Sequence, residues 1–269
     1  MKTLAFLLIL VGFAVGAPAA AEPDAPDVVT DRPDQTESPL VVPVGTVQVE
    51  IGSTFTNDEE EGTRTETSAA PGTLVRYAFH PRFELRLEWP GWVEADSRDA
   101  SGRSRVSEPS DPELGVKVAL AAARGKRPDI ALLAHVSLPW GGEPIGSPRA
   151  DPTARLSVAH TLSRRIGLGW NVGWEAHSFR DPNGQTHTLT RFIYTASCGI
   201  EISERLGTFV EVFGDLPASD PARSAHSLDG GVTYLVAPRV QVDFSAGVAL
   251  ESEAPDRFVG FGVSFRVPL

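Results

Sequence analysis

Between Arg82 and Trp89 charged and apolar residues alternate without a break: Arg82, Glu84, Arg86 and Glu88 interleave with Phe83, Leu85, Leu87 and Trp89. Period two places these two sets on opposite faces of a β-strand, and it leaves no stripe for a helix to bury. The pattern recurs at Val47, Val49, Ile51 and Phe55 against Gln48, Glu50, Gly52 and Thr54. It returns at Val240, Val242, Phe244, Ala246 and Val248 against Gln241, Asp243, Ser245, Gly247 and Ala249. Twelve such runs can be counted, at 46–56, 72–80, 82–93, 113–122, 129–139, 154–162, 166–177, 188–202, 207–216, 227–237, 239–251 and 257–267.

The connections between runs alternate in length. Long polar ones fall at 57–71, 94–112, 140–153, 178–187, 217–226 and 252–256, and short ones at 80–81, 123–128, 163–165, 203–206 and 237–238. In an up-and-down meander every second connection lies on the same rim, so one rim is expected to carry tight turns and the other loops. Transmembrane barrels have that asymmetry, together with an even strand count. The expected fold is therefore all-β: a transmembrane antiparallel up-and-down β-barrel of about 12 strands.

The chain opens with Lys2, an apolar stretch from Leu4 to Val15 and small residues at Ala17, Ala19, Ala20 and Ala21, the pattern of a secretory signal peptide. The expected organisation is a signal peptide over 1–21, an extended periplasmic segment over 22–44 and a barrel over 45–269. Export in turn points to the outer membrane of a Gram-negative bacterium. A net charge of −11 with no basic tract argues against a nucleic-acid partner. The single cysteine, Cys198, excludes an internal disulfide framework.

Alternation alone does not say which face is wet. A soluble barrel or sandwich alternates too, with its apolar row inward. Two features favour the membrane. Trp89, Trp92, Trp140 and Tyr194 fall towards strand ends, as interfacial girdles require, and Val259, Phe261, Val263, Phe265 and Val267 share one face of the last run.

The segment Thr30-Asp31-Arg32-Pro33-Asp34-Gln35-Thr36-Glu37-Ser38-Pro39, followed by Val42-Pro43-Val44-Gly45-Thr46, resembles the opening signature of an outer-membrane family. That family is labelled by the meta-pathway of phenol degradation and is often called a transporter family. The likeness continues through Asp111-Pro112-Glu113-Leu114-Gly115, Leu138-Pro139-Trp140-Gly141 and Leu228-Asp229-Gly230-Gly231-Val232. The resemblance implies an outer-membrane barrel that admits small hydrophobic or aromatic molecules.

If the apolar rows face lipid, the polar rows line the lumen. Arg76, Glu84, Arg86, Glu88, Lys117, Arg155, Glu175, Arg191, Glu211, Asp229 and Asp243 are the candidate selectivity residues, because rings of charge decide which solutes pass. The same charges also suit a salt-bridge network filling a narrow lumen. Asp31, Arg32, Asp34 and Glu37 precede the first strand and are candidates for a plug, or for a tail over the periplasmic rim. Catalysis is not expected. The histidines are scattered one per segment, no Gly-x-Ser-x-Gly elbow occurs, and Ser157 and His160 face opposite sides of one strand. The same scatter argues against a zinc site, and no cofactor is implied. The expected partners are outer-membrane lipid, the barrel-assembly machinery and a small solute. The function expected is passive diffusion through an outer-membrane channel. A closed structural or surface-interaction barrel and a periplasmic all-β binding protein are the alternatives.

Overall fold

The computed structural model describes residues 28–218, 224–251 and 253–269. The expected signal peptide and the start of the segment after it lie outside these residues. The strands are β1 (Thr46–Glu60), β2 (Thr63–His80), β3 (Phe83–Trp89), β4 (Trp92–Asp99), β5 (Gly102–Pro109), β6 (Glu113–Ala121) and β7 (Asp129–Ser137). They continue as β8 (Pro152–Thr161), β9 (Ile166–Arg180), β10 (Thr186–Glu201), β11 (Leu206–Pro217), β12 (Ala225–Ala237), β13 (Val240–Ala249) and β14 (Arg257–Pro268).

These fourteen elements make a closed barrel of twelve antiparallel staves. The second half of β2 pairs with β3, from Thr73↔Trp89 to Ala78↔Glu84, and its first half with β4, from Arg64↔Arg98 to Ala70↔Trp92. So β3 and β4 are one stave, interrupted at Pro90-Gly91, and β5 and β6 are the next, interrupted at residues 110–112. Proline cannot donate to a ladder, which is why Pro90 and Pro112 sit at the interruptions. Gly91, at φ +105, is required as glycine, because a Cβ there would lie 2.9 Å from the backbone of Ala70 and Pro71. The two breaks are tied together, with Ser110 N donating to Gly91 O at 3.0 Å. Closure comes from β1, which pairs with both β2 and β14, from Thr46↔Pro268 to Asn57↔Arg257 on the β14 side.

Two expected loops are corrected. The sequence pattern predicts connections at residues 57–71 and 94–112, yet β1 and β2 run on to a turn at Glu61-Gly62, and β4 and β5 form a hairpin. Glu61 at φ 49 and Gly62 at φ 80 have the positive angles that a two-residue hairpin turn demands. Beyond the apolar belt both faces of a strand meet water, so the alternation fades while the ladder continues. Likewise β9 and β10 extend to Arg180 and from Thr186, which shortens the expected connection at 178–187. The difference between the rims therefore lies partly in protruding hairpins, and partly in the long connection between β7 and β8.

The facing of the staves is inverted relative to a water-soluble protein. Phe83, Leu85 and Leu87 are 40, 46 and 48% exposed, while Glu84 and Arg86 are 0 and 4% exposed. On β13, Val242, Phe244 and Val248 are exposed and Asp243 and Ser245 are buried. The bulky side chains with almost no exposure include Arg76, Lys117, Gln48, Glu50, Glu84 and Glu211. An apolar exterior around a charged interior suits lipid outside, because hydrocarbon tolerates only a closed ladder clothed in apolar side chains. It overturns the periplasmic binding-protein alternative, which would bury the apolar row.

Candidate functional site

The inward row of every stave carries at least one polar side chain, and residues 28–43 run across the space these rows enclose. Asp31 sits at the centre. Its Oδ2 accepts from Arg86 Nη1 at 2.6 Å and from Lys117 Nζ at 3.0 Å, and lies 3.3 Å from Arg76 Nη1. Its backbone N–H donates to Glu50 Oε2 at 3.0 Å. Burial alone would raise the Asp31 carboxyl, but the charges of Arg76, Lys117 and Arg86 outweigh it and hold the group well below the usual carboxylate range.

The rest of the segment reaches around the wall. Arg32 Nη2 meets Asp243 Oδ1 on β13 at 3.4 Å. Gln35 N donates to Glu211 Oε2 on β11 at 2.7 Å, and Thr36 Oγ1 donates to Glu211 Oε1. Thr36 also bonds Thr195 on β10 at 2.7 Å. The Glu37 carbonyl accepts from Ser157 Oγ on β8 at 2.6 Å and from Asn171 Nδ2 on β9 at 3.0 Å. Its carboxylate faces Arg86 at 2.8 Å and Arg155 at 3.4 Å, and these charges lower its pKa against the opposing effect of burial. Val42 N donates to Glu84 Oε2 at 2.9 Å, and Lys117 Nζ donates to Ser38 O at 2.6 Å. Asp34 behaves oppositely to Asp31. Burial and then the neighbouring Glu211 charge push its carboxyl well up.

Of the sequence candidates, Arg76, Glu84, Arg86 and Lys117 gather on Asp31 and Glu37, with Arg76 Nε donating to Glu84 Oε1 at 2.9 Å. Glu211 and Asp229 are direct cross-strand partners on β11 and β12. Glu88, Arg155 and Glu175 line a cavity of about 530 Å³ on the far side of the segment. Arg191 stands apart from that cavity, 3.4 Å from Asp215 on β11. Ser157 and His160 do not meet, for Ser157 turns inward to Glu37 and His160 lies on the opposite row.

Two inward residues were missed from the sequence. Phe213 and Phe258 project into the same cavity and meet edge-on, with ring centroids 6.1 Å apart. Their signal was present but slight. Phe213 shares a row with Glu211 and Asp215, and Phe258 is the one aromatic on the row of Gly260, Gly262, Ser264 and Arg266.

Comparison with known proteins agrees with this architecture. The barrel is similar to the COG4313 outer membrane channel from Pseudomonas putida F1, with a TM-score of 0.66 at 10% identity, over 85% of this chain and 97% of that one. It is similar to the NanC porin, with a TM-score of 0.54 at 8% identity, over 82% of this chain and 100% of that one. The translocator domain of the autotransporter NalP from Neisseria meningitidis gives a TM-score of 0.54 at 7% identity, over 84% of this chain and 89% of that one. At such identities the likeness is one of fold. No curated protein matches the sequence. The family model described as "Putative MetA-pathway of phenol degradation" matches residues 30–267, and the chain, a closed β-barrel, belongs to that family.

Proposed function

We propose that the barrel is a passive channel for small solutes, aromatic and apolar ones among them, and that residues 28–43 act as a constriction across its lumen. The observation that carries this reading is the reach of that short segment. Its hydrogen bonds and ion pairs touch β1, β2, β3, β6, β8, β9, β10, β11 and β13, a reach that supports a path across the lumen over one along the rim. Charged side chains on the wall then both hold the segment and set which solutes pass beside it. The Phe213–Phe258 pair offers an aromatic surface in a cavity that charged side chains also line, which suits an aromatic ring.

No step of this function requires catalysis, and we read the protein as a non-enzyme. The fold of the family and the apolar belt support lipid as the surrounding partner; the assembly machinery and the solute are part of the proposal. Liposomes holding the purified barrel test it by uptake of phenol, a sugar and a fatty acid, alongside single-channel recording. Phenol is expected to enter faster than the sugar, and removal of residues 24–39 is expected to raise conductance. A folded barrel whose conductance is unchanged by that deletion contradicts the constriction. A wild-type barrel that passes nothing favours the closed structural reading.

A further inference from the structure

Like charges face each other directly at two places on the β2–β3–β6 wall, and the structure treats them differently. Arg76 and Arg86 are register partners on β2 and β3, and Asp31, Glu84 and Glu37 compensate them. Glu88 and Glu113 are register partners on β3 and β6, and both line the lumen cavity. Carboxylates directly opposite on one face of a sheet repel and destabilise the pair. Among the described residues, no Arg or Lys is in salt-bridge contact with either one.

His135 completes the group. It lies on β7 opposite Gly115, beside Glu113, and its side chain is 7% exposed. Its Nδ1 faces Glu113 Oε2 from 3.9 Å, too far for a hydrogen bond, and its Nε2 is buried with no hydrogen-bond partner. A buried imidazole nitrogen without a partner is costly. The absence of a side chain at Gly115 leaves room for it, for a Cβ there would collide with the ring. One ligand atom from each of Glu88, Glu113 and His135 falls within 4.8 Å of the other two.

We propose that Glu88, Glu113 and His135 form a binding site for one divalent transition-metal cation of borderline softness, with Zn²⁺ or Co²⁺ as representatives. Two carboxylate oxygens and one imidazole nitrogen form a three-ligand set that leaves a position for water or solute. Such bonds are about 2.0–2.2 Å long, so the three side chains close in by small rotamer adjustments, not by backbone movement. Bound cation removes the repulsion between Glu88 and Glu113, takes an imidazole nitrogen as its third ligand, and presents its open position to the cavity. The nitrogen ligand discriminates against Ca²⁺ and Mg²⁺, which take oxygen. Spacing along the chain gave no hint of this group, because its members come from three different strands.

The test is titration of the folded, detergent-solubilised barrel with Co²⁺, followed by visible absorption, and with Zn²⁺ by calorimetry. One saturable site is expected, with Zn²⁺ displacing Co²⁺ and millimolar Ca²⁺ leaving it in place. Glu88→Gln relieves the like-charge repulsion, so this variant is expected to fold and to bind at least about tenfold more weakly. His135→Gln is expected to abolish the imidazole-dependent absorption. A wild-type barrel with no saturable binding overturns the proposal. So does a site that His135→Gln leaves unchanged, or one from which Ca²⁺ displaces Co²⁺ as readily as Zn²⁺ does.

Discussion

Arg86 Nη1 donates to Asp31 Oδ2 at 2.6 Å, which joins the middle of a membrane stave to a residue that precedes the first strand. Lys117 and Arg76 converge on the same oxygen. Replacing Asp31 by Asn removes a carboxylate in direct ion-pair contact with all three cations and leaves Glu84 as their nearest shared counter-charge. Breaking a buried ion pair from one side costs about 3–5 kcal/mol. Asp31→Asn is therefore expected to lower the temperature of the gel-mobility shift by several degrees and to raise single-channel conductance. A variant with wild-type values for both would show that the segment is held by something else.

The pH response of the segment depends on carboxyls shifted in opposite directions, Asp31 and Glu37 downward and Asp34 upward. Asp31 is lowered, so its contribution is complete above the ordinary aspartate value of about 3.9 and is lost only as pH falls beneath that, through its folded value. Asp34 is raised, so docking is strongest where it is protonated and weakens as pH climbs from about 3.9 through its raised value. Acidification from neutrality to about pH 4 is expected to hold conductance level or reduce it. Asp34→Asn is expected to remove its share of that slope. Conductance that rises over the same interval would reverse the assignment.

Phe244 faces outward from β13 and is 47% exposed, beside the buried Ser245. Arginine on the lipid face near the bilayer midplane costs about 2–4 kcal/mol. Phe244→Arg is expected to approach that loss in denaturant unfolding from vesicles, and Ser245→Ala to fall well short of it. Equal losses would remove the distinction between the two faces.

The Phe213–Phe258 pair gives a test of solute choice. An aromatic pair contributes about 0.5–1.5 kcal/mol beyond its area, roughly a twofold to tenfold effect. Phe213→Ala and Phe258→Ala are each expected to slow phenol uptake by about that factor with sugar uptake unchanged. If both solutes respond alike, the pair fills space and does not select.

Much of the barrel was legible in the sequence, because its determinants are local. Glu84 next to Leu85 declares a two-faced strand, and the spacing of such runs declares the meander. The hairpin ends were not, because Arg64, Glu66, Asp96 and Arg105 are polar on strands that meet water on both sides. Nor could the seat of Asp31 be read, since a segment without period carries no record of which distant wall residues receive it. The Glu88–Glu113 opposition is likewise set by register, 25 residues apart along the chain and adjacent in the sheet.

The orientation of the staves carries the whole account, and a nitroxide scan from Val240 to Ala249 in a Cys198→Ser background measures it most directly. Oxygen, which partitions into lipid, is expected to relax labels most strongly at 242, 244, 246 and 248, with minima at 241, 243 and 245. A polar nickel chelate is not expected to reach the positions where oxygen relaxation peaks. The opposite phase, with oxygen maxima at 243 and 245, would place the charged row against lipid and contradict both the membrane barrel and the channel.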